Sequence, residues 1–310
     1  MNTQSNRIPA SFDSAGIVPA VMSATRPIYW SIRREFWENR YLYIAPLAVA
    51  SIFLFGYLIN IIHSPGQLRA LLLDDHAHNQ ADISGPFDIS AALMMGTAIL
   101  TSWFYCAEAL HGERRDRSIL FWKSLPISDV TTVLVKASIP LLILPLLVTA
   151  ITAVMQFLML LLSSVVLLGT GGNVGELWAH LPILQMMLLM LYHVLTAHAL
   201  WPAPVYCWML LVSGWARRAP LLWAALPVVA IGGLEKIAFN TSHFTHLVGS
   251  RLIGDTAAAA STSGDVFPTH PMTHITPAAF LATPGLWIGL AVAAAFLAAA
   301  VRLRRYQGPI

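Results

Sequence analysis

Residues 41–62, YLYIAPLAVASIFLFGYLINII, run for 22 positions without Asp, Glu, Lys or Arg. A helix of about 20 such residues crosses the roughly 30 Å hydrocarbon layer of a bilayer. The stretch therefore predicts a membrane span. Working outward, the same reading predicts five more, at 89–109, 131–168, 182–214, 220–239 and 284–301. The third and fourth are too long for one ordinary span and too short for two with a turn, so each predicts a single long or broken helix. Pro140 and Pro145, then Pro202 and Pro204, mark the expected kinks. Thr283 and Pro284 suit the N-cap and first position of the last span. Within it Gly285, Gly289, Ala291, Ala293, Ala294 and Ala295 predict close helix packing.

Composition agrees. The 310 residues hold 18 Lys+Arg and 15 Asp+Glu, 11% charged, against 57% apolar and a mean hydropathy of +0.66. Soluble domains are about 25% charged, so a soluble globule and a disordered chain are both excluded. A net charge of +3 is too small for a nucleic-acid binder. Cys106 and Cys207 lie in apolar stretches and give no disulfide framework. The expected fold class is an all-α polytopic membrane protein with six transmembrane helices.

Lysine and arginine placement sets the orientation. With six spans both termini share one side, and 15 of the 18 basic residues fall there, leaving Arg69, Lys236 and Arg251 opposite. Both termini are expected to be cytoplasmic. Residues 1–26 read as a disordered cytoplasmic N-terminus, and 302–310 as a cytoplasmic C-terminus. The apolar patch 17–22 is broken by Pro19 and lacks a basic flank, so it does not read as a signal peptide. Residues 27–40, PIYWSIRREFWENR, read as an amphipathic interfacial helix. Trp30, Phe36 and Trp37 would sit at headgroup depth, with Arg33 and Arg34 in the aqueous layer.

Several chemistries find no residues. None of the three lysines follows glycine, so a phosphate-cradling loop is missing. There is no His-Glu-x-x-His motif, and His193 and His198 fall on different helix faces. A Gly-x-Ser-x-Gly elbow is also missing. Nothing reads as an enzyme's reacting centre, and no catalytic, cofactor or metal residues are assigned. The loop 108–129, EALHGERRDRSILFWKSLPISD, carries the most information. Glu113, Arg114, Arg115, Asp116 and Arg117 precede the bulky run Ile119, Leu120, Phe121 and Trp122, which lies outside the hydrocarbon. Such a run packs on the chain's own helix ends, or docks into a partner's groove while the charges set register. Ser128 or Asp129 is placed to cap the next span.

GERRDRSILFWKSLPISD resembles the first cytoplasmic loop of ATP-binding-cassette exporter permeases of the second type. The segments WARRAP (215–220) and EKIAFNTSHF (235–244) fit the same family, and the likeness extends from about Arg33 to Phe244. The resemblance implies a coupling helix in the 111–129 loop, seated on a separate ATPase subunit that holds ATP and Mg. It also implies an interfacial helix before the first span, a second permease half, and residence in the bacterial inner membrane. The outer segments 63–88 and 245–283 carry no resemblance.

Glu108, Glu235 and Lys236 stand at span ends and are candidate pathway or gate residues. Glu108 can equally pair with Arg114, and Glu235 and Lys236, being sequence neighbours on a helix, need separate partners. His76 and His78, or His270 and His274, have a spacing that can hold a transition metal, though a polar outer loop explains them as well. The competing readings are a gradient-driven secondary transporter, with Glu108, His193 or Glu235 carrying protons, and a non-transporting anchor or assembly factor. The former predicts internal repeats, and none is evident between 41–136 and 137–301.

Overall fold

In hydrocarbon every backbone N–H and C=O must be paired within the chain, and helices do this segment by segment. The structure, a computed structural model, describes residues 25–66, 78–124, 127–181, 183–253, 277–308 and 310. Among the described residues all regular structure is helical. The chain runs α1 (Thr25–Glu38), α2 (Tyr41–His63), α3 (His78–Glu108), α4 (His111–Arg115), α5 (Ile119–Ser124) and α6 (Asp129–Gly169). Then come α7 (Val174–His180), α8 (Ile183–His193), α9 (Ala203–Trp215), α10 (Pro220–Phe239), α11 (His243–Ile253), α12 (Pro277–Ala282) and α13 (Pro284–Tyr306). Six helical stretches are long and apolar enough to cross a membrane: Tyr41–His63, Ile83–Arg115, Asp129–Gly169, Val174–Thr196, Pro220–Phe239 and Pro284–Tyr306. This is a multi-pass membrane protein.

α3 lies at the centre of the bundle. Its Phe87, Met94, Tyr105 and Cys106 share one core with Leu42 of α2, with Leu144, Val148, Met155 and Met159 of α6, and with Tyr206 and Leu210 of α9. α13 packs along α9 through Ala203, Cys207 and Ala293. α10 stands at the periphery with only Ala224 buried, tied in by the Trp208 indole N–H donating to the Ala224 carbonyl at 3.1 Å. Several polar groups inside the bundle find partners, which offsets the cost of burying them in hydrocarbon. The Gln156 amide donates to the Phe87 carbonyl at 3.1 Å, and the Tyr57 and Ser163 hydroxyls meet at 2.6 Å.

The prolines act where expected, by a specific distortion. Proline has no N–H and its ring crowds the preceding turn, so the turn widens. α6 contains a π-helical turn at Ile139–Ile143, with Pro140 near its start and Pro145 just beyond its end. A second, Val194–Leu200, leads from α8 into a break at Trp201 and Pro202, where the Trp201 N–H reaches back five residues to the Thr196 carbonyl at 2.9 Å. The expected span 182–214 is thus two helices, and the long apolar stretch on this limb is Val174–Thr196. α3 begins at His78 rather than at 89. Asp88 is accommodated within the helix by accepting from Ser84 at 3.2 Å, while Ile83 and Phe87 face the core. In α13 the small residues divide: Gly289 and Ala293 are buried, whereas Ala291, Ala294 and Ala295 face outward. The expected disordered segment 1–26 falls outside the described residues except for its last two positions, which open α1.

Candidate functional site

Where α1, α4, the start of α6 and the end of α13 meet, charged side chains are buried together. Glu35 is 1% exposed and Lys136 2%, and the Lys136 ammonium donates to Glu35 Oε1 at 2.8 Å. The Tyr105 hydroxyl donates to the other Glu35 oxygen at 2.8 Å. Glu113, from α4, is the second centre. Its Oε1 accepts from Arg34 at 2.8 Å and lies 3.2 Å from Lys136, and its Oε2 accepts from Arg304. Arg34 also reaches Glu35 at 2.9 Å, and Arg304 donates to Asp129 at 3.2 Å. Glu35, Glu113 and Asp129 thus face Arg34, Lys136 and Arg304, and the half-exposed Glu38 adds a fourth carboxylate, 3.4 Å from Arg34. The Arg34 guanidinium is pulled down by burial, but the carboxylates of Glu35, Glu38 and Glu113 carry it above its usual value. Burial pushes the Glu38 carboxyl up, with Arg34 opposing.

The cluster fixes the 108–124 segment against the bundle. Ser213 of α9 accepts from the Leu110 and His111 N–H groups at 3.1 and 2.9 Å, and the His111 ring meets the Ala216 carbonyl at 3.2 Å. Arg114 donates to the carbonyls of Gly214 and Gly308. Arg117, at φ 60, takes the left-handed turn that swings α5 away from α4. Lys123 then donates to the Gln307 carbonyl at 3.1 Å, beyond the end of α13. Ser128 caps α6 as expected, accepting from Thr131 N at 3.0 Å.

This arrangement sorts the residues expected to face a partner. Glu113, Arg114 and Ile119 are turned inward and buried, so they do not form part of an outer face. Trp122 is half covered, with the Arg34 guanidinium 3.8 Å above its ring. Leu120 and Phe121 remain 59% and 60% exposed, next to exposed Arg115, Asp116 and Arg117. In α1, exposed Trp30 and Trp37 flank Arg33, whose guanidinium stacks on both rings at 5.2 and 4.6 Å. Arg34, expected in water, is instead drawn into the cluster, and Phe36 packs partly against the core.

The span-end candidates are also placed. Glu108 pairs with Arg115 at 2.8 Å, not with Arg114, which donates instead to the Gly214 and Gly308 carbonyls. It lines a groove of about 550 Å³ with Tyr41, Thr97, Thr101 and Phe104. Glu235 accepts from Thr241 and from the backbone N–H groups of His243 and Phe244, at 2.9, 2.6 and 2.8 Å. It therefore caps α11, and its oxygens are committed to that turn. Lys236 is exposed. Among the described residues no three His, Cys, Asp or Glu come close enough to hold a metal. His76, His270 and His274 lie outside the described residues.

Sequence reasoning passed over Glu35, Tyr105, Lys136 and Arg304 as site residues. One signal was present: Lys136 stands alone between Val135 and Ala137 in an apolar run. Comparison of the chain with protein-family models, with curated proteins and with solved structures finds no match.

Proposed function

We propose that this chain is the membrane permease subunit of an ATP-driven exporter of the ATP-binding-cassette class, of the second type. One observation carries the reading. A short two-helix segment, α4 and α5, is held at the basic end by buried ion pairs shared with α1, α6 and α13, yet turns Leu120 and Phe121 outward. A push delivered at α5 would reach three other elements through Glu113, because side chains buried in a packed ion cluster do not move independently. The partner is a cytoplasmic ATPase that supplies ATP and Mg, and a second permease half completes the unit. The chain then lies in the bacterial inner membrane with both termini cytoplasmic. This reading also accounts for the absence of a phosphate-binding loop in the sequence.

The experiment is co-purification of the ATPase with the permease. Leu120 and Phe121 are the exposed anchors, and central apolar anchors cost about 2 kcal/mol or more on truncation. Leu120→Ala with Phe121→Ala should weaken the association roughly a hundredfold, about 2.7 kcal/mol, while the permease still inserts. Arg117→Ala, a rim charge, should change encounter rate and salt dependence far more than retention. If the double variant retains its ATPase and substrate-stimulated turnover, the docking assignment fails and a gradient-driven transporter becomes the better reading.

A further inference from the structure

At the same end of the bundle, α9, α4 and the residues after α13 enclose a second feature that the ion cluster does not use. A cleft of about 440 Å³ is lined by Arg114, Trp215, Arg217, Gln307, Gly308 and Ile310. We propose that this cleft binds the phosphate headgroup of an anionic membrane lipid, of the phosphatidylglycerol kind.

Charge is the first argument. Arg34, Arg115 and Arg304 each carry a carboxylate partner within 4 Å. Arg114 and Arg217 share one cleft, and among the described residues neither has one. Arg114 is nearly buried and spends its donors on the Gly214 and Gly308 carbonyls, which leave its charge uncompensated. Two like charges in one partly dehydrated cleft repel, and an anion between them reverses the sign of that energy.

Depth is the second. Trp215 ends α9 and Trp223 lies in the first turn of α10; both are about half exposed, and their rings meet edge to face at 5.3 Å. Exposed tryptophans at the ends of apolar helices mark headgroup level. Basic pockets between membrane helices at that level suit anionic lipid headgroups.

The third argument selects the headgroup. Gln307 Oε1 is buried in the cleft region without a hydrogen-bond partner among the described residues. A phosphate cannot satisfy an acceptor, but a hydroxyl on the same headgroup can donate to it. A glycerol headgroup offers both groups a few bonds apart, and the cleft volume falls in the range of small-molecule sites.

The test uses the full chain in nanodiscs of phosphatidylcholine doped with headgroup-proximal fluorescent phosphatidylglycerol, read by energy transfer from tryptophan. Phosphatidylglycerol should be enriched at the protein, and Arg217→Ala should reduce that enrichment about fivefold, the effect of one basic residue at an anionic surface. Arg217→Lys should restore part of it. Arg218→Ala removes the same charge next door without touching the cleft, and should change little. Gln307→Leu should weaken phosphatidylglycerol but leave phosphatidic acid unchanged, since the latter lacks the glycerol hydroxyls. Equal losses in Arg217→Ala and Arg218→Ala would mean general surface attraction and overturn the site. Displacement of the lipid by millimolar inorganic phosphate would make the cleft a soluble-phosphate site and overturn the headgroup assignment.

Discussion

Lys136 is the residue on which the cluster turns, because its one ammonium sits between two carboxylates that come from different elements. It is 2.8 Å from Glu35 and 3.2 Å from Glu113, and nearly all of it is buried. Truncating one member of a buried ion pair leaves an uncompensated charge and costs about 3–5 kcal/mol. Lys136→Met should therefore destabilise the protein by that amount in denaturant titrations in detergent. Adding Glu35→Gln should recover part of the loss, since the amide oxygen can still accept from the Tyr105 hydroxyl. Additive costs in the double variant would show that the two residues are not coupled. Little of this was legible beforehand. Glu35 follows Arg33 and Arg34, and such a run reads as a solvated face until folding shows that one acid and one arginine point inward. The cover over Trp122 was equally hidden, because the cation above its ring, Arg34, comes from a distant element.

Elements were more legible than residues, and for a physical reason: spans are written in composition, while their breaks are written in proline. Ser128 capped α6 and Pro284 opened α13 where the local chemistry placed them. The early start of α3 was missed, and the break in the fourth span was expected at its prolines but not the π-turn that precedes it. The first depends on Ser84 and Asp88 pairing within the helix, the second on a π-turn absorbing the defect before Pro202. Glu235 makes the sharpest case at this scale. The sequence offers it as a gate, yet it receives three hydrogen bonds from the residues that start α11. Removing a capping carboxylate costs about 0.5–2 kcal/mol. Glu235→Ala should leave α10 in place and raise amide hydrogen exchange across 243–253, with far smaller changes elsewhere. An unchanged exchange profile would show that α11 is held by other contacts, of which the approach of Thr245 to Gly232 is the first candidate, since a Cβ added there would meet its Oγ1 at 2.5 Å.

At the scale of the whole molecule, the proposed partner, the lipid cleft and the ion cluster all lie at one end, so the side of the membrane that end faces decides what it can meet. By sequence order, 15 of 18 lysines and arginines fall on that side of a six-span chain, and since positive loops stay cytoplasmic the expectation is that this end faces the cytoplasm. The fold makes this directly measurable. Both native cysteines, Cys106 and Cys207, are fully buried, so a membrane-impermeant maleimide should give little background on the wild type. Two probes suffice. Ser64, just after α2, lies at the opposite end from Ser124, the exposed last residue of α5. In sealed cells Ser64→Cys should label and Ser124→Cys should not, and permeabilising the cells should make both react. Ser84 is a poor choice despite its position in an expected outer segment, because it is buried beside Asp88. External labelling at 124 would put α5 on the outer face. No ATP-hydrolysing subunit works there, so that single result would remove the ATPase partner while leaving the cluster, the cleft and the six apolar helices as they are.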